Sequence, residues 1–121
     1  DVCSSDLWIG EGRAVEKGPS TVSTSGASFT PKRADQGIES TVDKLKAAID
    51  DDDAVIWDVR APEEFAGENA RGNARVGHVP TAVHLEWTDL NNPDHTFKSA
   101  DEIRAILTPL GITPDKAVHT Y

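Results

Sequence analysis

Apolar residues along the chain fall into short blocks separated by polar, turn-forming stretches. The clearest block is Ala54–Trp57, which is apolar throughout and is followed by Asp58 and Arg60. A short, continuous apolar run that ends in charged residues is typical of a strand buried in a parallel sheet. We therefore predict a strand over Ala54–Asp58. Similar but weaker blocks predict strands over Ala82–Leu85 and Ala117–Tyr121.

Two other stretches carry apolar residues at helical spacing. The first predicts a helix over about residues 41–50, opened by a capping box at Ser40–Asp43 in which Asp replaces the usual Glu. The second has a full capping box at Ser99–Glu102 and ends at Gly111, which suits a helix C-terminus. The apolar positions of these two helices are Val42, Leu45, Ala48 and Ile49 in the first, and Ile103, Ile106, Leu107 and Leu110 in the second.

Pro62, Glu63 and Glu64 predict a short helix over residues 62–66, because proline and acidic residues both favour a first turn. A glycine-rich loop follows over residues 67–76, and then a turn at Gly77–Pro80. Strands that alternate with helices in this way indicate an α/β fold with a mainly parallel sheet flanked by helices.

Composition limits the classes of partner. The 121 residues carry a formal net charge of −9, which argues against nucleic acid or an anionic membrane surface as a partner. No apolar run approaches the roughly 18 to 20 residues of a spanning helix. The single cysteine, Cys3, excludes an internal disulfide and favours a reducing, cytoplasmic location. The acidic run at Asp50–Asp53 matches no calcium-loop spacing, so we expect no metal and no cofactor.

The central motifs resemble a known family. Asp58-x-Arg60-x-x-Glu63-Glu64-Phe65, followed by Gly77-His78-Val79-Pro80, resembles the rhodanese domain of thiosulfate and mercaptopyruvate sulfurtransferases. The resemblance covers about residues 39–121. More specifically, these residues resemble the second domain of tandem, two-domain members. Thr81 is a departure, because the family usually has glycine there. Further matching segments are Trp87–Leu90, Phe97–Ile103 and Pro114–Tyr121.

This resemblance also implies a domain organisation. Residues 8–16 are similar to the closing segment of a preceding rhodanese domain, residues 17–38 have the composition of a linker, and residues 39–121 form an incomplete rhodanese domain. Residues 1–7 resemble a translated sequencing adapter, which would make Cys3 non-native; a native tail is the alternative. In the family the catalytic cysteine opens the loop after the last strand. We therefore expect it just beyond Tyr121, and we expect the chain as given to lack a nucleophile and to be inactive.

The resemblance implies transfer of sulfane sulfur from thiosulfate or 3-mercaptopyruvate, through a cysteine persulfide, to a thiophilic acceptor such as cyanide or a thiol. Arg60 is a candidate donor-binding residue, because guanidinium groups bind oxyanions bidentately, and a bracing role is equally open. For Asp58 we favour the bracing role. Arg71 matches a donor-binding arginine, although Arg75 and a mere surface role are alternatives.

The resemblance further implies that His78 supports the turn rather than acting as a base. Glu64 stands where mercaptopyruvate-type members have a second arginine, which favours thiosulfate slightly as the donor.

Two other readings remain. One is a non-catalytic rhodanese-like binding or scaffold domain. The other is a phosphatase on the same fold, which would need a longer loop and which Trp87–Ile103 does not resemble.

Overall fold

The structure, a computed structural model, describes residues 4–21, 26, 28–30 and 37–121. The chain divides into two compact units, Asp1–Glu39 and Ser40–Tyr121. In the first unit, helix α1 spans Ser4–Gly10. The Trp8 indole N–H donates to the Ala14 carbonyl at 2.9 Å, and the Arg13 guanidinium lies 5.0 Å from the centre of the Trp8 ring.

The predicted segments of this unit are only partly described. Cys3 and the rest of residues 1–3 lie outside the described residues, as do residues 22–25, 27 and 31–36 of the predicted linker. The described linker residues between 17 and 30 form neither helix nor strand. Helix α1 runs across the predicted boundary between residues 7 and 8, so backbone conformation gives no break there.

The second unit is built on a three-stranded sheet in the order β2-β1-β3. Strand β1 spans Ala54–Asp58, β2 spans Val83–His84 and β3 spans Ala117–Thr120. Both neighbours pair with β1 in parallel, with Trp57 opposite Val83 on one side and Thr120 on the other. Helices connect the strands, so the predicted α/β fold with a parallel sheet is confirmed. β2 is shorter than predicted, although the Leu85 N–H still donates to the Asp58 carbonyl at 3.2 Å.

The helices of this unit follow the predicted order. Helix α2 spans Val42–Ala48, α3 spans Pro62–Phe65 and α4 spans Ala100–Leu107. Short 3-10 helices lie at Trp87–Leu90 and Thr108–Leu110. The second of these ends at Gly111, whose φ of 75° is the left-handed conformation that glycine adopts at helix ends.

The two predicted capping boxes have different outcomes. The box at Ser99 is confirmed: the Ser99 hydroxyl accepts from the Glu102 N–H, and the Glu102 carboxylate accepts from the Ser99 N–H at 2.9 Å. The capping box predicted at Ser40 is wrong, because the N-cap lies one residue later. Thr41 is the N-cap and accepts from the Lys44 N–H at 3.3 Å, while the Ser40 hydroxyl lies 2.9 Å from His119 Nδ1. Two adjacent hydroxyl residues left this register ambiguous.

The core of the second unit is small. Among the described residues, the buried apolar side chains are Ala48, Ile56 and Ile112, and the buried charged side chain is Asp58. Val42 was predicted to face the core but is 67% exposed, because it opens α2 before the helix reaches the sheet. The predicted apolar face of α4 is half-buried. No described helix is long and apolar enough to cross a membrane.

Two turn positions show how the chain approaches the sheet. Gly67 has a φ of 81°, and a Cβ there would lie 3.2 Å from the Gly77 nitrogen, so a larger residue would be strained and would push these two loops apart. Thr81 has a φ of 66°, a conformation that is rare for a β-branched residue. The family's usual glycine at this position would adopt it without strain.

Candidate active site

The candidate site lies where β1 ends. Asp58 is the last residue of β1, and its side chain is fully buried. Its Oδ1 accepts from the backbone N–H and the Nε–H of Arg60 at 3.0 and 2.9 Å, and its Oδ2 accepts from Arg60 Nη2 at 2.5 Å. A fork of this kind matches both oxygens of a carboxylate to one guanidinium group. The charge at the strand end is therefore held by an internal ion pair.

Arg60 also connects this strand end to the neighbouring turn. Its Nη2 donates to the Gly77 carbonyl at 2.9 Å, and its Cζ lies 5.1 Å from the centre of the Tyr121 ring. The Tyr121 hydroxyl accepts from the Val79 N–H at 2.8 Å. Asp58, Arg60, Tyr121 and the turn at Gly77–Val79 thus form one network across the carboxyl ends of β1 and β3.

The pKa values of this network follow from burial and hydrogen bonding. Burial raises the pKa of Asp58, but hydrogen bonds from the Arg60 side chain and backbone outweigh burial, so this pKa is lowered. The hydrogen bond to Asp58 raises the pKa of Arg60. Burial raises the pKa of the Tyr121 hydroxyl. Near neutral pH the site therefore contains a carboxylate, a guanidinium and an uncharged phenol.

The candidate donor-binding arginines lie in different settings. The Arg60 side chain is 27% exposed, and its Nε and Nη2 already donate within the domain. The Arg71 side chain is 60% exposed and lies 3.5 Å from the Glu64 carboxylate, which is 15% exposed. Arg71 has a φ of 45°, and its N–H donates to Asn69 Oδ1 at 3.0 Å. Arg75 lies exposed on the same loop. Donor binding by Arg60 or Arg71 stays a prediction.

Three stacked rings brace the loop around this site. The centre of the His78 ring lies 3.7 Å from the centre of the Phe65 ring, and the two rings are nearly parallel. The centre of the His84 ring lies 4.7 Å from the centre of the same Phe65 ring. His78 Nδ1 is 2.8 Å from the Phe65 carbonyl, and His84 Nε2 is 2.9 Å from the Arg60 carbonyl. Because a carbonyl oxygen can only accept a hydrogen bond, His78 Nδ1 and His84 Nε2 must each carry a hydrogen. The support role of His78 stays a prediction.

Sequence reasoning missed two members of this arrangement. Tyr121 was considered only as the residue before the expected catalytic cysteine, and His84 was assigned no role. The available signal was position, since both residues lie at the carboxyl end of a predicted parallel strand, where ligand sites form. Within the described part of the chain, no group of three or more His, Cys, Asp or Glu residues is arranged to hold a metal ion.

A cavity of about 280 Å³ lies elsewhere in the second unit. It is lined by the end of α2, the start of β1 and residues Thr81, Val83 and Leu110. None of the candidate site residues lines it. The chemistry-bearing side chains and this cavity are therefore separate features of the fold.

The parallel α/β fold and the charged site at the strand ends agree with the family to which the sequence is similar. The family model that matches is the rhodanese-like domain, over residues 41–121. The chain belongs to the rhodanese-like domain family.

Individual relatives carry sulfur-transfer names. The chain is 35% identical over 129 aligned positions to the sulfur carrier protein TtuD of Thermus thermophilus, covering 94% of this chain and 43% of that protein. It is 38% identical over 82 positions to a thiosulfate sulfurtransferase of Pseudomonas aeruginosa, covering 68% of this chain and 30% of that protein. The chain thus spans less than half the length of these relatives.

Among solved structures, the chain is similar to an EanB variant in complex with ergothioneine covalently linked with a persulfide cysteine. The TM-score is 0.72 at 26% identity, and the similarity covers 97% of this chain and 30% of that one.

Proposed function

We propose that the protein containing this domain is a sulfurtransferase. It moves sulfane sulfur from thiosulfate or 3-mercaptopyruvate to a thiophilic acceptor such as cyanide or a thiol. The sulfur is carried as a persulfide on a cysteine that follows Tyr121. With thiosulfate, the thiolate attacks the outer sulfur, the sulfur–sulfur bond breaks and sulfite leaves. The acceptor then attacks the outer persulfide sulfur, which restores the thiolate.

The position of Tyr121 is the observation that carries this proposal. The Tyr121 carbonyl accepts from the Val59 N–H at 3.2 Å, and the Tyr121 N–H donates to the Trp57 carbonyl at 3.3 Å. These bonds hold the end of β3 against the end of β1, beside the Arg60 guanidinium. A residue joined to Tyr121 would emerge beside the paired Arg60 and Asp58 side chains, at the carboxyl end of a parallel sheet, where ligand sites form.

The names of the relatives support the same chemistry. Sulfur carriage, thiosulfate and a persulfide cysteine each occur in the name or description of a similar protein. We favour thiosulfate slightly as the donor, because Glu64 replaces a second arginine. We also propose the tandem organisation expected from the sequence, with residues 8–16 closing a preceding rhodanese domain and residues 17–38 linking it to the second. A cytoplasmic location belongs to the same proposal.

The test begins with the full reading frame. A cysteine codon directly after that of Tyr121 supports the proposal. The full-length protein should then form thiocyanate from cyanide with thiosulfate or 3-mercaptopyruvate. Intact-mass measurement after donor addition should show a gain of one sulfur atom, which cyanide removes. Another residue after Tyr121, together with no thiocyanate from either donor, would reject the proposal.

A non-catalytic rhodanese-like binding or scaffold domain is the alternative. One observation favours it: two Arg60 nitrogens are committed to Asp58 and Gly77 within the domain, which is the behaviour of a brace. The same assays separate the two functions. A full-length protein that gains no sulfur, and in which substitution of Arg60 lowers only stability, would match the binding role.

A further inference from the structure

Two guanidinium–carboxylate pairs lie in the segment that contains the end of β1 and the residues that follow it. Asp58 is fully buried and neutralises the Arg60 guanidinium through two hydrogen bonds. Glu64 neutralises Arg71 through one ion pair of 3.5 Å. The wall around the end of β1 therefore carries no net positive charge from these four groups, although an anionic donor must be attracted there.

The two pairs differ in how easily they can open. The pair of Asp58 and Arg60 cannot exchange its partner without leaving a buried carboxylate unpaired, which is strongly unfavourable. The pair of Glu64 and Arg71 consists of a single contact, and the Arg71 side chain is 60% exposed. A single 3.5 Å contact to a largely exposed guanidinium contributes little to stability, so another anion can compete for that guanidinium. Of the two predicted donor-binding arginines, Arg71 is the one whose guanidinium can change partner.

Glu64 itself is held in place. It lies in α3, whose first turn begins at Pro62, and its N–H donates to the Ala61 carbonyl at 3.0 Å. Its side chain is only 15% exposed. Its charge contributes to the raised pKa of Arg60, but less than the hydrogen bond to Asp58 does. A largely buried carboxylate thus lies beside a largely exposed guanidinium.

We propose that Glu64 is a built-in counter-ion that competes with the anionic donor for Arg71 and thereby sets the donor affinity of the site. The inference rests on the proposed function for the identity of the anion. Glu64 acts through Arg71 and is therefore a positioning residue. Donor binding requires the Arg71 guanidinium to leave Glu64. The free energy needed to break that ion pair therefore weakens the binding of the donor.

The first test compares the full-length protein with its E64Q variant, which keeps the shape of the side chain and removes its charge. Since a single contact to a largely exposed guanidinium is weak, the KM for thiosulfate should fall about two- to fivefold. The kcat should stay the same, because the substitution leaves the reacting atoms untouched. The fall should shrink at high salt, since ions screen the pair.

Two further variants show whether the effect passes through Arg71. R71Q should raise the KM, and in an R71Q background E64Q should give at most half of its wild-type gain, on a logarithmic scale, because the pair is already absent. The matched control is D101N, which removes the carboxylate of the exposed Asp101–Arg104 pair and should leave the KM unchanged. An equal gain from E64Q in both backgrounds would overturn the proposal.

Calorimetric binding of thiosulfate separates this inference from the proposed function. If the full-length protein transfers no sulfur but E64Q binds thiosulfate more tightly than wild type does, sulfur transfer is rejected and the counter-ion role stands. If E64Q changes neither the Kd nor the KM while its thermal unfolding matches that of wild type, the counter-ion role is rejected whatever the activity.

Discussion

Replacing Asp58 with asparagine should destabilise the domain more than removing any exposed carboxylate. Asparagine keeps an oxygen that can accept from the backbone N–H of Arg60. Its amide nitrogen, however, would face Arg60 Nη2, which now donates to Asp58 Oδ2 at 2.5 Å. The substitution therefore leaves two donors facing each other and a guanidinium without its counter-ion.

The magnitude follows from the burial of the two partners. Breaking a buried ion pair costs about 3–5 kcal/mol. Asp58 is fully buried, but the Arg60 side chain is 27% exposed, so water can solvate part of the guanidinium in the variant. We therefore expect a loss of about 2–3 kcal/mol in the free energy of unfolding. That is a large share of the roughly 5–15 kcal/mol that stabilises a typical domain.

Urea unfolding followed by tryptophan fluorescence measures this loss. Trp57 is a suitable probe, since it neighbours Asp58 in β1 and its indole N–H donates to the Leu85 carbonyl at 2.9 Å. We expect the urea midpoint of D58N to fall by roughly 1–2 M. The control D101N removes a carboxylate that is 96% exposed, and it should cost less than about 0.5 kcal/mol.

Two results would refute this reasoning. If D58N lost less than about 1 kcal/mol, the buried pair would contribute no more than an ordinary neutral hydrogen bond. The double variant D58N/R60Q tests the same point. It should be more stable than the sum of the two single losses predicts, because no unpaired charge remains in it. Strict additivity would mean that the two side chains do not act as a pair.

Three further outcomes are expected from the same unfolding assay. S99A should lose about 1 kcal/mol, because it removes the hydroxyl that caps α4 and pairs with Glu102; no loss would contradict the capping role. T81G should gain about 0.5–1 kcal/mol, because relief of the left-handed conformation exceeds the entropy that glycine adds to the unfolded chain; a loss would show that the Thr81 side chain stabilises the fold. Since the pKa of Asp58 is lowered on folding, its contribution is complete above the unfolded value of about 3.9 and disappears as the pH falls through the folded value. Between about pH 5 and pH 2 wild type should therefore lose more stability than D58N, and equal losses would assign the acid sensitivity to other carboxylates.

Local sequence signals predicted those parts of the fold that depend on neighbouring residues. The strand at Ala54–Asp58 has the predicted bounds because a charged pair follows a continuous apolar run. Helix α4 begins after Ser99 as predicted, since both halves of its capping box lie within four residues. The box at Ser40 was placed one residue early, because a cap depends on backbone geometry that adjacent Ser and Thr residues do not distinguish.

The site was harder to predict, because its contacts join residues that are distant in the sequence. Spacing alone brought Asp58 and Arg60 together, but it did not show that Arg60 also donates to the Gly77 carbonyl. The contact of the Tyr121 hydroxyl with Val79 spans two loops and leaves no periodic pattern. The pairing of Glu64 with Arg71 depends on the path of a glycine-containing loop, whose conformation short-range propensity does not fix.

The strand order has a consequence for synthesis on the ribosome. The central strand β1 is made early, gains one neighbour when Val83 emerges, and gains the other only with Ala117–Thr120. Until then one edge of β1 offers unpaired backbone groups to any extended chain nearby. Nascent chains should therefore be most prone to misassociation while the segment between β2 and β3 is being translated. The charged stretch at Asp50–Asp53, just ahead of β1, would repel identical chains during that interval.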